Sequence, residues 1–406
     1  MNIKASFFLA RTTILRGNKG TLIMTILIMT LAYVNLIFIS SVFGGIVEAI
    51  NEQSIKNLYS NIVIAPADDE VYIENKYAMD SIDTIPGIVA SSAHYINNTL
   101  ISYDANNDGN DVQRGKWIVK SVDVEDEIRV TQISDSMIEG EYLDSNDRDK
   151  IVIGKEIAGG HGGDLDYLSL GGVYVGDEID IKFSNGIRRT YTIKGIFSTK
   201  NSQADQMAFV TTKEMESVLG VYNLASEVIV KINDDELGQE EKYIKQIRQT
   251  GLVDEDIKTW KQLTGFTSSA SKSFTMISII LGAIGTVVAG VTIFIIIFVS
   301  IVNKRKQIGI LKAIGMKEST IILSFVMQAI FYAVIGIIFG VSIILFLIRP
   351  FFINNPLDFP VGWVSLKITF NIIRISNISL VIAALIGGFI PAFRGTKESI
   401  LDTIWG

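Results

Sequence analysis

The sequence contains no cysteine, only two histidines in 406 residues, and few charged residues. Without cysteine there can be no disulfide framework, thiolate metal site, thiol catalysis or lipid attached through a cysteine. The two histidines, His94 and His161, are too few for a histidine-rich metal site. Charged residues make up 19% of the chain, against about a quarter in an average soluble protein. This low charge, together with 48% hydrophobic residues concentrated in a few stretches, excludes an ordinary cytosolic globular protein and an intrinsically disordered one.

A phosphate-binding loop is also missing from the sequence. No G-x-x-x-x-G-K-[ST] pattern occurs, and the pair Gly154-Lys155 is followed by Glu156. No set of a nucleophile with a nearby base, and no cluster of metal ligands, stands out along the chain. We therefore predict no cofactor, no catalytic site and no metal site, and expect any ATP hydrolysis to occur in a partner subunit.

Four long runs of the sequence carry no charge and predict four transmembrane helices. A helix needs about 20 apolar residues to cross the hydrocarbon core, and the first three runs exceed that length. The first run is also longer than the roughly 7–15 apolar residues of a signal peptide, so we interpret it as a membrane anchor. The predicted spans are residues 21–43, 274–302, 319–348 and 375–393.

Basic residues predict the orientation of these spans. The N-terminal segment 1–20 holds four basic residues and no acid, the segment 303–318 holds five against one acid, and the tail 394–406 adds two more. Basic loops stay in the cytoplasm, so both termini are predicted to be cytoplasmic. Residues 44–273 and the loop 349–374 are then extracytoplasmic, and the chain is a multi-pass protein of the inner or plasma membrane.

The segment between the first and second spans has the composition of a water-exposed domain. Residues 48–272 hold 39 acidic and 22 basic side chains, net −17, whereas the rest of the chain holds 4 and 14, net +10. The predicted fold class is therefore a multi-pass α-helical membrane protein with four transmembrane helices and a large mixed α/β extracytoplasmic domain inserted between helices 1 and 2.

Local patterns predict both strands and helices in this domain. Ile179, Ile181 and Phe183 alternate before Asn185-Gly186, which is typical of a hairpin turn. Other strands are predicted over residues 61–64, 117–122 and 150–153, and helices over 212–219 and 236–250. The apolar side of the last helix is predicted to consist of Leu237, Tyr243, Ile244 and Ile247.

Two loops of the domain suggest ligand binding, each with a plainer interpretation. Asp104, Asn106 and Asp108 follow the alternation of a calcium loop, but Gly115 stands where the bidentate Glu should be. The pattern therefore favours a polar turn over an EF-hand-type site. The glycine-rich run 159–163 could approach a ligand with its backbone, yet no phosphate-loop Lys-Ser/Thr follows, which favours a flexible loop.

The most informative stretch is the segment 303–317 between the second and third spans. On a helical wheel its apolar residues form one arc and its basic residues lie across from it, and Gly315 stands where a left-handed cap would end the helix. The arc consists of Ile308, Ile310, Leu311 and Ile314, and the basic residues are Arg305, Lys306 and Lys312. Two interpretations fit this pattern: a helix lying on anionic lipid headgroups, or a docking helix for a cytoplasmic partner.

The run Arg305–Gly315 resembles the signature of the FtsX-like ABC permeases, which include lipoprotein-releasing and macrolide-exporting systems. The layout of one span, a large external domain and three further spans is also similar. By this resemblance the residues that couple to an ATPase are Arg305, Lys306, Gln307, Ile308, Gly309, Ile310, Leu311, Lys312, Ala313 and Gly315. Gln307 departs from the family, which usually has Glu there, so a role resting on that carboxylate does not carry over.

The resemblance implies a permease subunit that transmits ATPase-driven motion to its external domain, for lipoprotein release or for export of a peptide or hydrophobic substrate. The implied partners are cytoplasmic ABC ATPase subunits, a second permease chain in a homo- or heterodimer, membrane lipid, and lipoproteins or an outer-membrane or periplasmic partner, but no nucleic acid. The alternative function is a membrane-anchored sensor or regulator of an extracytoplasmic partner, such as a cell-wall hydrolase, without transport.

Small residues in the spans predict close helix packing. Gly282, Gly285 and Ala289 lie along the second span, and Gly336 and Gly340 form a G-x-x-x-G pair in the third. Such packing can join two subunits or two helices of one subunit, and for the Gly336 pair the two alternatives are equally open. Two polar residues inside the spans, Gln328 and Asn35, are predicted to form hydrogen bonds between helices.

Overall fold

The computed structural model describes residues 3–17, 19–67, 70–106, 108–162, 168–252, 255–359 and 362–397. The chain divides into two compact units, and each is described by itself. The membrane unit contains the described residues of 3–48, 272–358 and 363–397, and the inserted unit contains those of 49–271 and 359–362.

The described helices and strands have the following bounds. The helices are α1 (Ile3–Arg16), α2 (Lys19–Ser54), α3 (Asn75–Ile82), α4 (Val124–Val130), α5 (Lys155–Ala158), α6 (Thr212–Leu219), α7 (Glu240–Gln249), α8 (Trp260–Leu263), α9 (Gly265–Asn303), α10 (Arg305–Ala313), α11 (Glu318–Ile343), α12 (Arg349–Asn354) and α13 (Phe370–Thr396). The strands are β1 (Ile62–Ala65), β2 (Ile73–Glu74), β3 (Ile88–His94), β4 (Ile96–Tyr103), β5 (Gln113–Val122), β6 (Met137–Gly140), β7 (Lys150–Gly154), β8 (Glu178–Lys182), β9 (Arg188–Phe197), β10 (Met207–Thr211), β11 (Leu224–Ala225), β12 (Glu227–Ile232), β13 (Asp256–Thr259), β14 (Leu357–Phe359) and β15 (Gly362–Val364).

In the described ranges, four helical stretches are long and apolar enough to cross a membrane, as the sequence predicts. They run Lys19–Tyr59, Ser269–Asn303, Glu318–Asn354 and Phe370–Thr396, and each contains one predicted span. Lipid hydrocarbon offers no hydrogen-bond partners to the backbone, whereas a helix pairs its own N–H and C=O groups. This explains why the runs stay helical through their glycines. The predicted loop 349–374 is partly ordered, because α12 and the hairpin strands β14 and β15 lie within it.

Glycines let the membrane helices approach closely within one chain. A Cβ on Gly336 of α11 would lie 2.9 Å from the Cβ of Met29 in α2, and one on Gly340 would overlap the ring of Tyr33. Cβ atoms essentially never approach below 3.0 Å, so the Gly336 pair packs α11 against α2 in this chain. Gly282 in α9 is different, because the nearest atom to its Cβ position is 3.9 Å away.

The hydrogen bonds inside the membrane unit differ from those predicted. Gln328 is buried, but its Nε2 donates to the carbonyl of Ser324 in its own helix, 3.2 Å away. Asn35 is exposed. A hydrogen bond between two membrane-crossing helices is instead formed by the Tyr33 hydroxyl of α2 and the Asn377 side chain of α13. Within the described residues Gln328 therefore bonds inside its own helix, contrary to the prediction, because sequence spacing does not say which helix faces which. The prediction for Asn35 stays a prediction.

The inserted unit contains two main sheets. The smaller sheet is antiparallel, with the order β13-β1-β12-β3. The larger sheet has the order β6-β9-β7-β10-β5-β4-β8, and an additional pairing between β8 and β9 closes six of its strands into a barrel. Two of its pairings, β10 with β5 and β7 with β9, are parallel. Its apolar cluster contains Ile151, Ile153, Ile179 and Ile181, which are almost fully buried.

Most local predictions for this unit are confirmed. The hairpin of β8 and β9 turns at Asn185-Gly186, where Gly186 has a φ of +86°, and α6 has the predicted bounds. The strands predicted at 61–64, 117–122 and 150–153 correspond to β1, β5 and β7 within one residue or a few. The predicted helix 236–250 is too long, because Gly238 takes a φ of +94° and α7 begins only at Glu240. Leu237 is consequently exposed rather than part of the apolar side.

Candidate functional site

The segment between the second and third membrane helices folds as the short helix α10. It ends in a Schellman motif: the Met316 amide donates to the Leu311 carbonyl at 3.0 Å, and the Gly315 amide donates to the Lys312 carbonyl at 3.0 Å. Gly315 has a φ of +90°, a conformation that glycine adopts without a Cβ penalty. The predicted left-handed cap is therefore confirmed, and it fixes the direction in which the chain enters α11.

The apolar arc predicted for this helix is divided between two faces. Ile308 is buried in the apolar core of the membrane unit, and Leu311 packs against the same core. Ile310 and Ile314, in contrast, are 57% and 73% exposed. The exposed residues together form a surface that we call the coupling face, which consists of Lys306, Gln307, Ile310, Ala313 and Ile314. Arg305 is half-buried, and Gly309 is buried beside Ile308.

Lys312 points inward, although the wheel places it on the outer basic side. Its Nζ lies 2.9 Å from Glu318 Oε1 in the first turn of α11 and donates to the Thr396 carbonyl at the end of α13, 2.8 Å away. A carbonyl at a helix C-terminus carries partial negative charge, so both acceptors favour the ammonium. This contact holds α10 to two membrane helices at once.

Helix α1, which the sequence indicates only as a basic segment, packs against the first turn of α11. The Ser6 hydroxyl of α1 donates to the Thr320 carbonyl of α11 at 2.9 Å, and both residues are buried. Ala10, one turn later, is also buried, whereas Phe7 and Phe8 are exposed. The small residues Ser6 and Ala10 at i and i+4 are the signal that could have revealed this packing.

The calcium-like loop of the inserted unit uses its carboxylates to close a turn. Asp104 Oδ2 accepts the Gly109 amide at 2.7 Å, and Asp104 Oδ1 accepts the Asn106 amide at 3.3 Å. Asp108 Oδ1 accepts the Asn110 amide at 2.8 Å. This is the polar turn that the sequence favours. In the glycine-rich loop, residue 163 lies outside the described residues.

A buried ionic network, which we call the His94 network, lies between the two sheets of the inserted unit. His94 Nε2 lies 2.7 Å from Glu127 Oε2 of α4, and its Nδ1 lies 3.0 Å from Glu227 Oε1 of β12. Lys120 Nζ, on the barrel strand β5, lies 2.6 Å from the same Glu227 oxygen. Ser92 donates a further hydrogen bond to Glu127 at 2.7 Å. Two carboxylates thus face two cations.

The charges of this network are set by competition between burial and pairing. Burial lowers the pKa of His94, but the Glu127 charge and hydrogen bonds to both carboxylates outweigh it and raise that pKa to about 9. Burial likewise raises the pKa of Glu227, but Lys120 and His94 outweigh it and hold that pKa at about 2. At neutral pH His94 is therefore protonated and Glu227 is ionised, so the histidine acts as a cation in this network. No sequence pattern reveals it, because its members come from separate segments.

Four helices long and apolar enough to cross a membrane, an α/β unit inserted between the first two, and a short amphipathic helix between the second and third define a multi-pass membrane protein with an inserted α/β domain. Two family models match the chain: "MacB-like periplasmic core domain" over residues 22–247 and "FtsX-like permease C-terminal" over residues 279–400. The first alone matches more than half of the chain. The chain therefore belongs to the ABC transporter permeases of the FtsX and MacB type.

Individual relatives agree with this assignment. An uncharacterized ABC transporter permease of Methanocaldococcus jannaschii is 28% identical over 280 residues, which is 66% of this chain and 65% of that protein. The macrolide export ATP-binding/permease protein MacB of Campylobacter jejuni is 30% identical over 154 residues, which is 37% of this chain and 23% of that protein. The chain thus spans less than two thirds of either relative.

Two solved extracytoplasmic domains are also similar to part of the chain. The periplasmic region of MacB from Actinobacillus actinomycetemcomitans matches with a TM-score of 0.37 at 11% identity, covering 53% of this chain and 95% of that one. The extracellular domain of the ABC-type transporter YknZ from Gram-positive bacteria matches with a TM-score of 0.34 at 11% identity, covering 49% and 97%.

Proposed function

We propose that this chain is a permease subunit that transmits ATPase-driven motion across the membrane to its extracytoplasmic domain. The observation that carries the proposal is the coupling face, an exposed apolar and basic surface on a helix that is itself fixed to α11 and α13 through Lys312. A partner that pushes on this surface moves the membrane helices with it, whereas a loose loop would absorb the displacement.

The connectivity of the chain supplies the route of transmission. Helix α10 follows α9 after the single residue Lys304, and α9 begins at Gly265 within the last residues of the inserted unit. Helix α2 leads into the same unit from its other end. A displacement of α10 is therefore passed to a helix whose opposite end is covalently continuous with the inserted unit.

The composition of the spans supports a transmitter rather than an ion pathway. None of the four predicted spans contains a charged residue. Ion or proton pathways across membranes usually carry ionisable residues that face the bundle interior. The predicted spans have the composition of packed apolar helices without a charged pathway between them.

The proposed assembly contains cytoplasmic ABC ATPase subunits and a second permease chain, with both termini of this chain in the cytoplasm. The basic segments beside the spans support that orientation. For the substrate we propose a lipoprotein released from the membrane, or an exported peptide or hydrophobic compound. The name of the Campylobacter relative, which pairs ATP binding and macrolide export with a permease, supports an export function.

The proposal is tested by purifying the tagged full chain from its host in mild detergent and measuring the ATPase that copurifies. The variants Ile310→Asp and Ile314→Asp change exposed residues, so the helix remains folded while the coupling face loses its apolar character. Ile138→Asp is the matched control, because Ile138 is an isoleucine of the inserted unit with a similar 50% exposure. We expect the wild type and the control to retain a phosphate-loop ATPase and the two coupling-face variants to lose most of it.

Two results would refute the coupled-permease proposal. One is recovery of the intact chain without any ATPase. The other is equal recovery of ATPase with both coupling-face variants and the control. In either case the sensor function would become the hypothesis to test, with the inserted unit as the ligand-binding part.

A further inference from the structure

The membrane unit contains a groove lined by the end of α1, the first turns of α2 and the last turns of α9. It has a volume of about 640 Å³, within the range of pockets that hold small organic ligands. One end is aliphatic, lined by Ile28, Ile295 and Ile296, and the other end is polar, lined by Ser300 and Lys304. Along α9 the two ends are separated by about 12 Å, at 1.5 Å per residue. The groove is therefore amphipathic along its length.

Lys304 carries a positive charge that no carboxylate among the described residues balances. Its side chain is half-buried at the polar end of the groove, and within the described residues no carboxylate forms an ion pair with it. Lys312, in contrast, forms an ion pair with Glu318. The sequence explains the difference, because residues 3–47 and 273–317 contain no Asp or Glu. Burial lowers the pKa of Lys304, which is the effect of a desolvated cation without a partner.

We propose that this groove binds an anionic glycerophospholipid, with one acyl chain along the aliphatic end and the phosphate-bearing headgroup against Lys304. The lipid supplies both complements that the groove lacks, an apolar chain and a negative charge. A transmembrane helix of a second copy would cover the aliphatic walls but would leave Lys304 desolvated and unpaired, because the predicted spans contain no acidic residue. The site lies in the leaflet on the side of Lys304, and the proposal does not depend on coupling to an ATPase.

The absence of native cysteine gives a clean test in the full chain. Val299, which lines the groove and is 45% exposed, is replaced by Cys and labelled with bimane, and the chain is placed in nanodiscs of equal phosphatidylglycerol and phosphatidylcholine. Only one of the two lipids carries brominated acyl chains, which quench bimane on contact. Phe298→Cys is the matched position, because the neighbouring Phe298 is 51% exposed and lies outside the groove.

We expect brominated phosphatidylglycerol to quench the label at position 299 with about fivefold preference, the equivalent of about 1 kcal/mol for one basic residue at the membrane surface. The preference should disappear with Lys304→Gln and remain with Lys306→Gln, which removes the same charge from an exposed position outside the groove. The label at position 298 should show no preference.

Equal quenching by both lipids at position 299, or a preference that survives Lys304→Gln, would overturn the proposal. A third result would also overturn it. In that result neither lipid quenches the label at position 299, and the unlabelled cysteine at that position forms a disulfide between two copies of the chain. That last result would assign the groove to a second copy of the chain instead of a lipid.

Discussion

Replacement of His94 by glutamine should destabilise the inserted unit by several kcal/mol and remove a specific pH dependence. Glutamine keeps hydrogen-bonding capacity but carries no charge, so Glu127 would lose its cationic partner and Glu227 would keep only Lys120. The rise of the His94 pKa from 6.5 to about 9 corresponds to about 3 kcal/mol, at roughly 1.36 kcal/mol per pKa unit. Removing one partner of a buried ion pair generally costs about 3–5 kcal/mol, which agrees.

The pH dependence has a definite direction. The pKa of His94 is higher in the folded chain than in the unfolded one, so its stabilisation is fully present below pH 6.5. It is lost as the pH rises through about 9, where the folded-state histidine gives up its proton. The wild-type free energy of unfolding should therefore fall by about 3 kcal/mol relative to the His94→Gln variant between pH 6 and pH 9.5.

The measurement is urea-dependent pulse proteolysis of the full chain in nanodiscs, with fragments of the inserted unit followed by mass spectrometry. His161→Gln is the control, because the His161 ring lies against Tyr174 and the Val173 carbonyl, outside the His94 network. The control should keep the wild-type pH dependence. A wild-type and His94→Gln pair with parallel pH profiles would refute the assignment of the charges in this network.

Two further predictions concern glycines of the membrane unit. Gly336→Ala should destabilise the chain in detergent by about 1–3 kcal/mol, because its new Cβ would lie 2.9 Å from Met29. Gly282→Ala, with 3.9 Å of clearance, is the control and should leave the melting temperature unchanged. Equal melting temperatures for both variants would contradict the packing described. Gly315→Ala should cost about 1–3 kcal/mol at a φ of +90° and make the chain after α10 more sensitive to limited proteolysis, whereas unchanged cleavage would mean that the Schellman turn does not fix this segment.

Much of the membrane architecture could be predicted because the bilayer constrains the length and the apolar composition of each span along the sequence. A run of apolar residues must satisfy its backbone hydrogen bonds internally, so its length and composition are sufficient to indicate a helix. The cap at Gly315 could be predicted for a similar reason, since a glycine just past a helical pattern has a local conformational cause. The Asn185-Gly186 hairpin belongs to the same class of local signals.

Contacts between distant segments could not be predicted in this way. Lys312 has its place on the basic side of a helical wheel, but its contacts with Glu318 and Thr396 depend on how α10, α11 and α13 pack. The His94 network joins β3, β5, α4 and β12, and nothing near His94 in sequence distinguishes it from an ordinary buried histidine. For the same reason the wheel could not say that Ile308 lies inside and Ile310 outside.

The closure of the barrel limits how this part of the inserted unit can recognise a partner. In an open sheet, an edge strand offers unpaired backbone groups, and an extended peptide can bind by adding a strand. Here β8 pairs with both β4 and β9, so the closed ring offers no such edge in its described strands. The exception is β6, which has four residues, a register shift and β9 alone as its partner. A substrate or partner protein that binds the closed ring away from β6 is therefore recognised by loops and side chains, so its specificity can change without altering the strands.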